Sequence, residues 1–355
     1  MDAIQLQQKV KQGEVIEGLA LSGINLASGD LAGGIFQRVD FSNADFTTCN
    51  LEQCLFIDCT LTAALFTQAR LQYARFSESD LRYANFSGTS LLGLIFSECN
   101  LQHADFSQMQ AENMQFIGCR LEHSRFRQAQ INKSAISESA LEKSDFTQAT
   151  LLKTTFHATD LRQYIPTGAH FEQVNFFECQ QQGIDYHGQS LIQCLFTRNQ
   201  LDNANFSAAI LSLSLFQGAS MQKANLSGVQ AERAQFVDAD LSQADCRASQ
   251  MNQSIWLNAR LSSTHFDDCH LVQALFTKSQ AQGAKFTGTH LEYADFSYAD
   301  VSHADFARAH FHQTQFHRAA QQETRWGDKT GVLVNDPELF AAESWNEQLE
   351  RANNA

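Results

Sequence analysis

The sequence predicts an all-β chain wound into four-sided parallel coils, and three observations carry that prediction. A large apolar residue recurs at almost every fifth position from Ile16 to Phe316, over 61 pentads without a slip of phase. A small residue recurs two positions before it, as in Ala64, Ala69, Ala74, Ser79 and Ala84. Outward apolar residues recur at multiples of 20.

A five-residue period fits neither regular element, because a helix repeats every 3.6 residues and a strand every 2. On a helix the apolar residues would wind around every side. On an unbroken strand an odd period would send them alternately to opposite faces. A short extended segment followed by a corner keeps both the small and the large residue inside. Of 28 phenylalanines, 26 fall on this register, Phe177 and Phe340 being the exceptions.

The number of corners per lap follows from which residues would stack. From Leu51 onward Leu and Phe mostly alternate, so an even number of pentads per coil places Phe on Phe. The outward column Ile35, Leu55, Ile95, Leu195, Leu215, Ile255 and Leu275 runs in steps of 20, whereas the column offset by ten holds only Leu65 and Ile165. Twenty residues and four sides per coil satisfy both.

Asp or Asn often separates the small and large residues, giving Ala-Asp-Phe at 44–46, 104–106, 294–296 and 304–306. This A(D/N)LXX pattern resembles the pentapeptide-repeat family over about residues 16–320. The resemblance implies a right-handed quadrilateral β-helix. About fifteen coils at the ~4.8 Å spacing of neighbouring strands would make a rod roughly 70 Å long.

Composition supports one repetitive body. At 355 residues the usual size prior gives two or three domains, but 2 prolines and 18 glycines supply no linker of either kind. The expected organisation is a cap over 1–15, the β-helix over 16–320, and a tail over 321–355. In 160–190, Tyr164 and Gln189 replace small residues while Pro166 and Gln181 replace central apolar ones, which predicts a bulged or kinked coil. The cap carries Ile4, Leu6 and Val10. In the tail Trp326 is the last residue in phase, and Asp336-Pro337-Glu338 reads as an N-cap, an N1 proline and an acidic first turn. That helix would present Leu339, Phe340, Trp345 and Leu349, either to cap the last coil or to dock a partner.

The formal net charge of -14 disfavours unaided binding to nucleic acid or anionic lipid. No apolar run approaches the roughly 20 residues of a membrane-spanning helix, and Met1-Asp2-Ala3-Ile4 lacks the order of a secretory peptide. Eight of the nine cysteines occupy small inward sites and Cys246 a central one, so they read as core residues in a reducing, cytoplasmic compartment. No cofactor or metal is expected. His270, His290 and His310 would stack on successive coils, but as surface imidazoles rather than ligands. A filled interior offers no substrate cleft, so an enzyme is not expected.

The outward positions are asymmetric. Beside the column above, the same two sides carry Leu92, Leu152, Ile192, Val272, Ile57, Ile117, Phe177, Val237 and Leu257, an apolar stripe suited to a protein partner or a second copy of the chain. The other two sides carry Asp40, Asp45, Asp80, Asp105, Asp145, Asp160, Asp185, Asp240, Asp245, Asp300 and Asp305, an acidic counterpart whose bland reading is local side chain–backbone bonding.

Two functions compete. One is a non-enzymatic adaptor. The tail from Arg325-Trp326-Gly327-Asp328 through Trp345 resembles those of pentapeptide-repeat proteins associated with bacterial type VI secretion, which implies cargo loading. The alternative is DNA mimicry. Acidic members of the quinolone-resistance type resemble duplex DNA and bind DNA gyrase or topoisomerase IV. Against it stand the greater length, the unbroken phase that leaves no room for projecting loops, and interspersed cations such as Lys143, Arg162 and Arg260.

Overall fold

Each pentad follows one local path. In the segment from Phe41 to Asp45, Phe41 and Ala44 point inward and are buried. The Ala44 N–H donates to the Phe41 carbonyl at 2.9 Å and closes a turn, with Asn43 at its corner in the left-handed region, φ 56°. Residues numbered in 3 or 8 take this conformation through both units, mostly without glycine. A side chain there costs about 1–2 kcal/mol relative to the right-handed form.

The coils are joined by a parallel ladder with a step of 20 residues. Asp40 pairs with Thr60 and Thr60 with Asp80. The Phe41 N–H donates to the Thr60 carbonyl at 2.7 Å, and the Asp40 N–H to the Leu19 carbonyl at 2.9 Å. This is a four-sided parallel β-helix of about 16 turns.

The computed structural model describes residues 1–353, so the last two residues of the expected 321–355 tail lie outside the described residues. The chain divides into two compact units, Met1–Ile184 and Asp185–Ala355. The division falls within the segment expected to be irregular.

In the first unit, three-residue strands line two sides of the coil. One side pairs nine of them in order from Val15–Glu17, Ile35–Gln37 and Leu55–Ile57 to Asn175–Phe177. A second pairs Ser90–Leu92, Gln110–Glu112, Gln130–Asn132, Thr150–Leu152 and His170–Glu172. Inside, Phe36, Phe56, Phe76, Phe96 and Phe116 form one pile with ring centroids 4.7–5.2 Å apart. Phe46, Phe66, Phe86, Phe106, Phe126 and Phe146 form another at 4.4–5.0 Å. Rings of the two piles meet edge to face, as in Phe86 with Phe96 at 5.6 Å.

Helix α1, Ala3–Lys11, closes the first coil. Asp2 and Gln5 form a reciprocal capping box, and Leu6 and Val10 are buried. Ile4, expected among the cap's apolar contacts, is instead 67% exposed, because only the face carrying Leu6 and Val10 meets the coil. The Gln7 side-chain carbonyl accepts the Asp30 N–H at 3.0 Å, a donor with no earlier coil to bond.

Through 160–180 the coil keeps the register of its predecessor, with bridges from Asp145 to Ile165 and from Asp160 to Gln180. Pro166 sits in a buried central site, and its carbonyl accepts the Ala169 turn bond at 2.9 Å. The departure from the ladder is small: the Lys143 N–H reaches Gln163 O at 3.1 Å, one residue beyond the usual acceptor.

In the second unit single bridges replace most strands, again at steps of 20. Phe196, Phe216, Phe236, Trp256, Phe276, Phe296 and Phe316 stack in one column at 4.1–5.6 Å. The buried indole of Trp256 donates to Ser254 Oγ at 2.7 Å. Trp326 extends the other column, 4.9 Å from Phe306. Helix α2, Pro337–Asn353, follows, with Asp336 accepting the Glu338 and Leu339 N–H groups at 3.0 and 2.9 Å.

Phe86→Ala removes a ring stacked at 4.6 and 5.0 Å on its neighbours and is expected to cost about 3–5 kcal/mol in denaturant unfolding, with Phe86→Leu costing less. A loss below about 1 kcal/mol for Phe86→Ala would mean that the ring piles do not hold the coil together.

Candidate interaction faces

An interior filled by two ring piles leaves the outer faces as the places where chemistry can be offered. The apolar residues singled out from the sequence lie on strand faces, and the ladder decides which of them meet. In the first unit Ile35 is the register partner of Leu55, Leu55 of Arg75, and Arg75 of Ile95. Ile35 is exposed, while Leu55 and Ile95 are half-buried. Phe177 lies on the same sheet with its ring 5.7 Å from that of His157. Leu92 and Leu152 belong to the second sheet, separated by Glu112 and Asn132, and border a shallow cleft of about 430 Å³ floored by Ala111. Ala111 occupies a central site of the kind that mostly holds Leu or Phe.

In the second unit Leu195 pairs with Leu215 and Ile255 with Leu275, with Gln235 between the pairs. Ile192 is half-buried on the strand Ser190–Ile192. The stripe is therefore a set of two-residue patches interrupted by polar residues rather than an unbroken band.

The aspartates have local employment. Asp40, Asp45, Asp80, Asp105, Asp145, Asp185, Asp240, Asp245, Asp300 and Asp305 each accept the backbone N–H two residues on, at 2.9–3.2 Å in every case. An oxygen placed there satisfies the N–H of the next turn, which is why Asp and Asn recur before the central residue. Several are also paired with cations. Arg82 is 2.6 Å from Asp80, Arg127 is 2.5 Å from Asp145, and Arg247 is 2.6 Å from Asp245. The Arg247 guanidinium holds the Asp245 carboxyl below the usual carboxylate range.

Two of the buried thiols show what the core does to them. Burial pushes Cys54 and Cys269 up to about 12, and the Cys54 and Cys269 S–H groups donate to the Leu31 and Cys246 carbonyls at 3.0 and 2.8 Å. His270, His290 and His310 do stack, at 4.5 and 4.6 Å. Among the described residues no group of three His, Cys, Asp or Glu is arranged to hold a metal ion, and no helix is long and apolar enough to cross a membrane.

Helix α2 attaches by polar contacts. Glu343 accepts from the Tyr298 hydroxyl and lies 3.0 Å from His317 Nε2 and 2.6 Å from Arg318 Nε. Arg318 also reaches Glu347 at 2.5 Å and stacks 4.6 Å from the Phe340 ring centroid. Leu339, Phe340 and Trp345 remain 48%, 40% and 62% exposed.

One group of side chains escaped the sequence reading. The exposed corners Asp58, Glu78, Glu98, Glu138 and Glu178 all fall in one column beside the nine-stranded sheet. Their signal was again a step of 20, at positions facing neither the interior nor a sheet face.

These features define a class of protein, a four-sided β-solenoid with a filled core and side chains displayed in vertical columns. A family model described as "Pentapeptide repeat region" matches residues 30–93 and 86–156, and one described as "Pentapeptide repeats (8 copies)" matches 209–245, 219–255, 258–292 and 286–320. The chain belongs to the pentapeptide-repeat family.

Three solved structures are among those similar to this chain. QnrB1, a plasmid-mediated fluoroquinolone resistance protein, is 16% identical over 62% of this chain and 98% of its own, with a TM-score of 0.37. HetL, involved in heterocyst differentiation regulation in Nostoc sp. strain PCC 7120, is 19% identical over 95% and 98%, with a TM-score of 0.20. A pentapeptide repeat protein of the Arabidopsis thaliana thylakoid lumen is 27% identical over 27% and 63%, with a TM-score of 0.22. No curated protein sequence matches this chain.

The α2 anchor generates a pH prediction. Hydrogen bonds from Tyr298 and then His317 lower the Glu343 pKa in the folded state. Its stabilisation is therefore complete above the unfolded glutamate value of about 4.3 and fades as pH falls through the lower folded value. Amide exchange in 337–349 is expected to speed up below that range, and in Glu343→Gln already at pH 7. Exchange that ignores both pH and substitution would mean that Glu343 does not anchor the helix.

Proposed function

We propose that this protein is a non-enzymatic scaffold that binds other proteins through the outer faces of its coils. The supporting observation is the placement of aliphatic pairs such as Leu195–Leu215 and Ile255–Leu275 on the surface. The interior is already closed by stacked rings and needs none of them. Aliphatic side chains that the core does not require, repeated on one side, fit a surface that a partner covers. An accessory role in type VI secretion is the finer form of this reading and rests on the tail resemblance from Arg325 to Trp345. A cytoplasmic location, in keeping with the buried thiols, accompanies it.

The competing reading, a DNA mimic directed at gyrase or topoisomerase IV, draws on the net charge of -14. It has less support. The aspartates that would imitate phosphates are bonded to their own turns and, at Asp80, Asp145 and Asp245, to arginines. Absence of inhibition or protection of gyrase supercoiling at micromolar protein is the expected result.

Leu195→Glu with Leu215→Glu is expected to abolish partner capture or self-association while leaving the coil folded, with a modest loss of stability because the two glutamates are ladder partners and repel. Pull-down from the native cell and sedimentation provide the readout. Unchanged capture by a folded double variant would reject this face.

A further inference from the structure

The nine-stranded sheet of the first unit has one outer face that no element among the described residues covers. Across five adjacent strands, from Ile35–Gln37 to Gln115–Ile117, it presents Ile35, Leu55, Ile57, Ile95 and Ile117, with Arg75 as the one cation on the sheet surface. Along one edge of this face runs the corner column. Ile57, Ser77 and Ser97 are register partners on successive strands, so the residues that follow them, Asp58, Glu78 and Glu98, stand one above another.

These three side chains are exposed, among the described residues no cation lies within ion-pair distance of them, and each sits at a left-handed corner with φ 51–53°; Arg38, the corner one coil before Asp58, is paired with Glu17. The fold does not ask for them. Gly18 and Gly118 make the same corner on the same column, with a backbone suited to positive φ. Like charges stacked on neighbouring strands repel. The column is also particular to this unit, since the equivalent corners of the second are Arg198, Gly218, Asp238, Asn258, Lys278, Tyr298 and Arg318.

Resting on the scaffold reading above, we propose that this face binds a basic amphipathic α-helix of a partner protein, its apolar stripe on Ile35, Leu55, Ile57, Ile95 and Ile117 and its Lys or Arg flank on Asp58, Glu78 and Glu98. Two features select that occupant. The apolar row bordered by a row of carboxylates is complementary in charge to an apolar stripe with one basic flank. The spacing agrees as well. Successive carboxylates stand about one strand spacing apart, ~4.8 Å, and a helix lying along the coil axis advances ~5.4 Å per turn. Lysines at i, i+4 and i+7 would therefore meet three successive coils with about 1 Å of accumulated mismatch, well within the reach of a flexible side chain.

The test uses the full-length protein and two fluorescein-labelled 18-residue helical peptides. One carries a leucine stripe flanked on one side by lysines at i, i+4 and i+7; the other has glutamates at those positions. The lysine peptide is expected to bind saturably, at least tenfold more tightly than the glutamate peptide, and to weaken as salt is raised. Asp58→Asn with Glu78→Gln and Glu98→Gln is expected to weaken it at least tenfold, and so is Leu55→Ser with Ile95→Ser. Glu122→Gln with Glu142→Gln, which removes acidic charge from another side of the unit, should leave binding unchanged.

The neutralised triple variant should melt at the wild-type temperature or above, because it loses only repulsion. A lower melting temperature would assign the carboxylates to the fold and overturn the proposal. Equal binding of both peptides, binding by neither, or binding that survives the triple variant would also overturn it. The scaffold reading is judged separately, by partner capture in the Leu195→Glu and Leu215→Glu variant, so either can fail alone.

Discussion

A single spacing serves both the backbone and the core. The parallel ladder sets neighbouring strands about 4.8 Å apart. Ring centroids in the phenylalanine piles lie 4.4–5.2 Å apart, so the step that satisfies the hydrogen bonds also brings each ring into contact with the next. The match explains why the core can be so narrow. Each coil contributes two inward residues per side, and a ring such as Phe86 is covered above and below by rings of the neighbouring coils. The step tolerates a larger ring where the small inward site supplies a hydroxyl, as Ser254 does for the indole of Trp256.

The path was legible because inward positions must satisfy geometry and chemistry at once. A residue such as Phe86 has to be large, apolar and in phase, and it is surrounded by others bound by the same rule. Residues at corners are held only by backbone conformation. Glycine holds only a minority of these sites; residues of many kinds, from Gln and Lys to Tyr and Ala, fill the rest, so residue type does not reveal their shared positive φ and only the step of 20 marks the column. The acidic column at Asp58, Glu78 and Glu98 was missed for that reason. The aspartates before the central residues were visible, but their work is local, as the turn bonds of Asp40 and Asp45 show. In 160–180 the expected distortion is small, since Pro166 still closes its turn through its carbonyl.

This separation of duties bears on function. Inward residues determine whether a coil forms, whereas residues on the faces and most corner side chains can change with little effect on the core. A face can then acquire aliphatic pairs or a charged edge one coil at a time, with vertical placement guaranteed by the ladder. Patches such as Leu195–Leu215 and the carboxylate column in the first unit are the kind of surface this arrangement allows, and they are the sites on which partner binding is proposed. At the chain ends the same logic requires closure, which α1 provides through Leu6, Val10 and the Gln7 bond to the first coil.

The claim that residues 20 apart are vertical neighbours can be tested by oxidative cross-linking. Gln235 and Ile255 are bridge partners, and adjacent strands lie within the roughly 4.4–6.8 Å Cα separation that a disulfide requires. Gln235→Cys with Ile255→Cys should oxidise to a cross-link identifiable by peptide mass, whereas Gln235→Cys with Gln250→Cys, 15 residues apart and therefore on a different side, should not. A cross-link in the second pair and none in the first would contradict the four-sided coil.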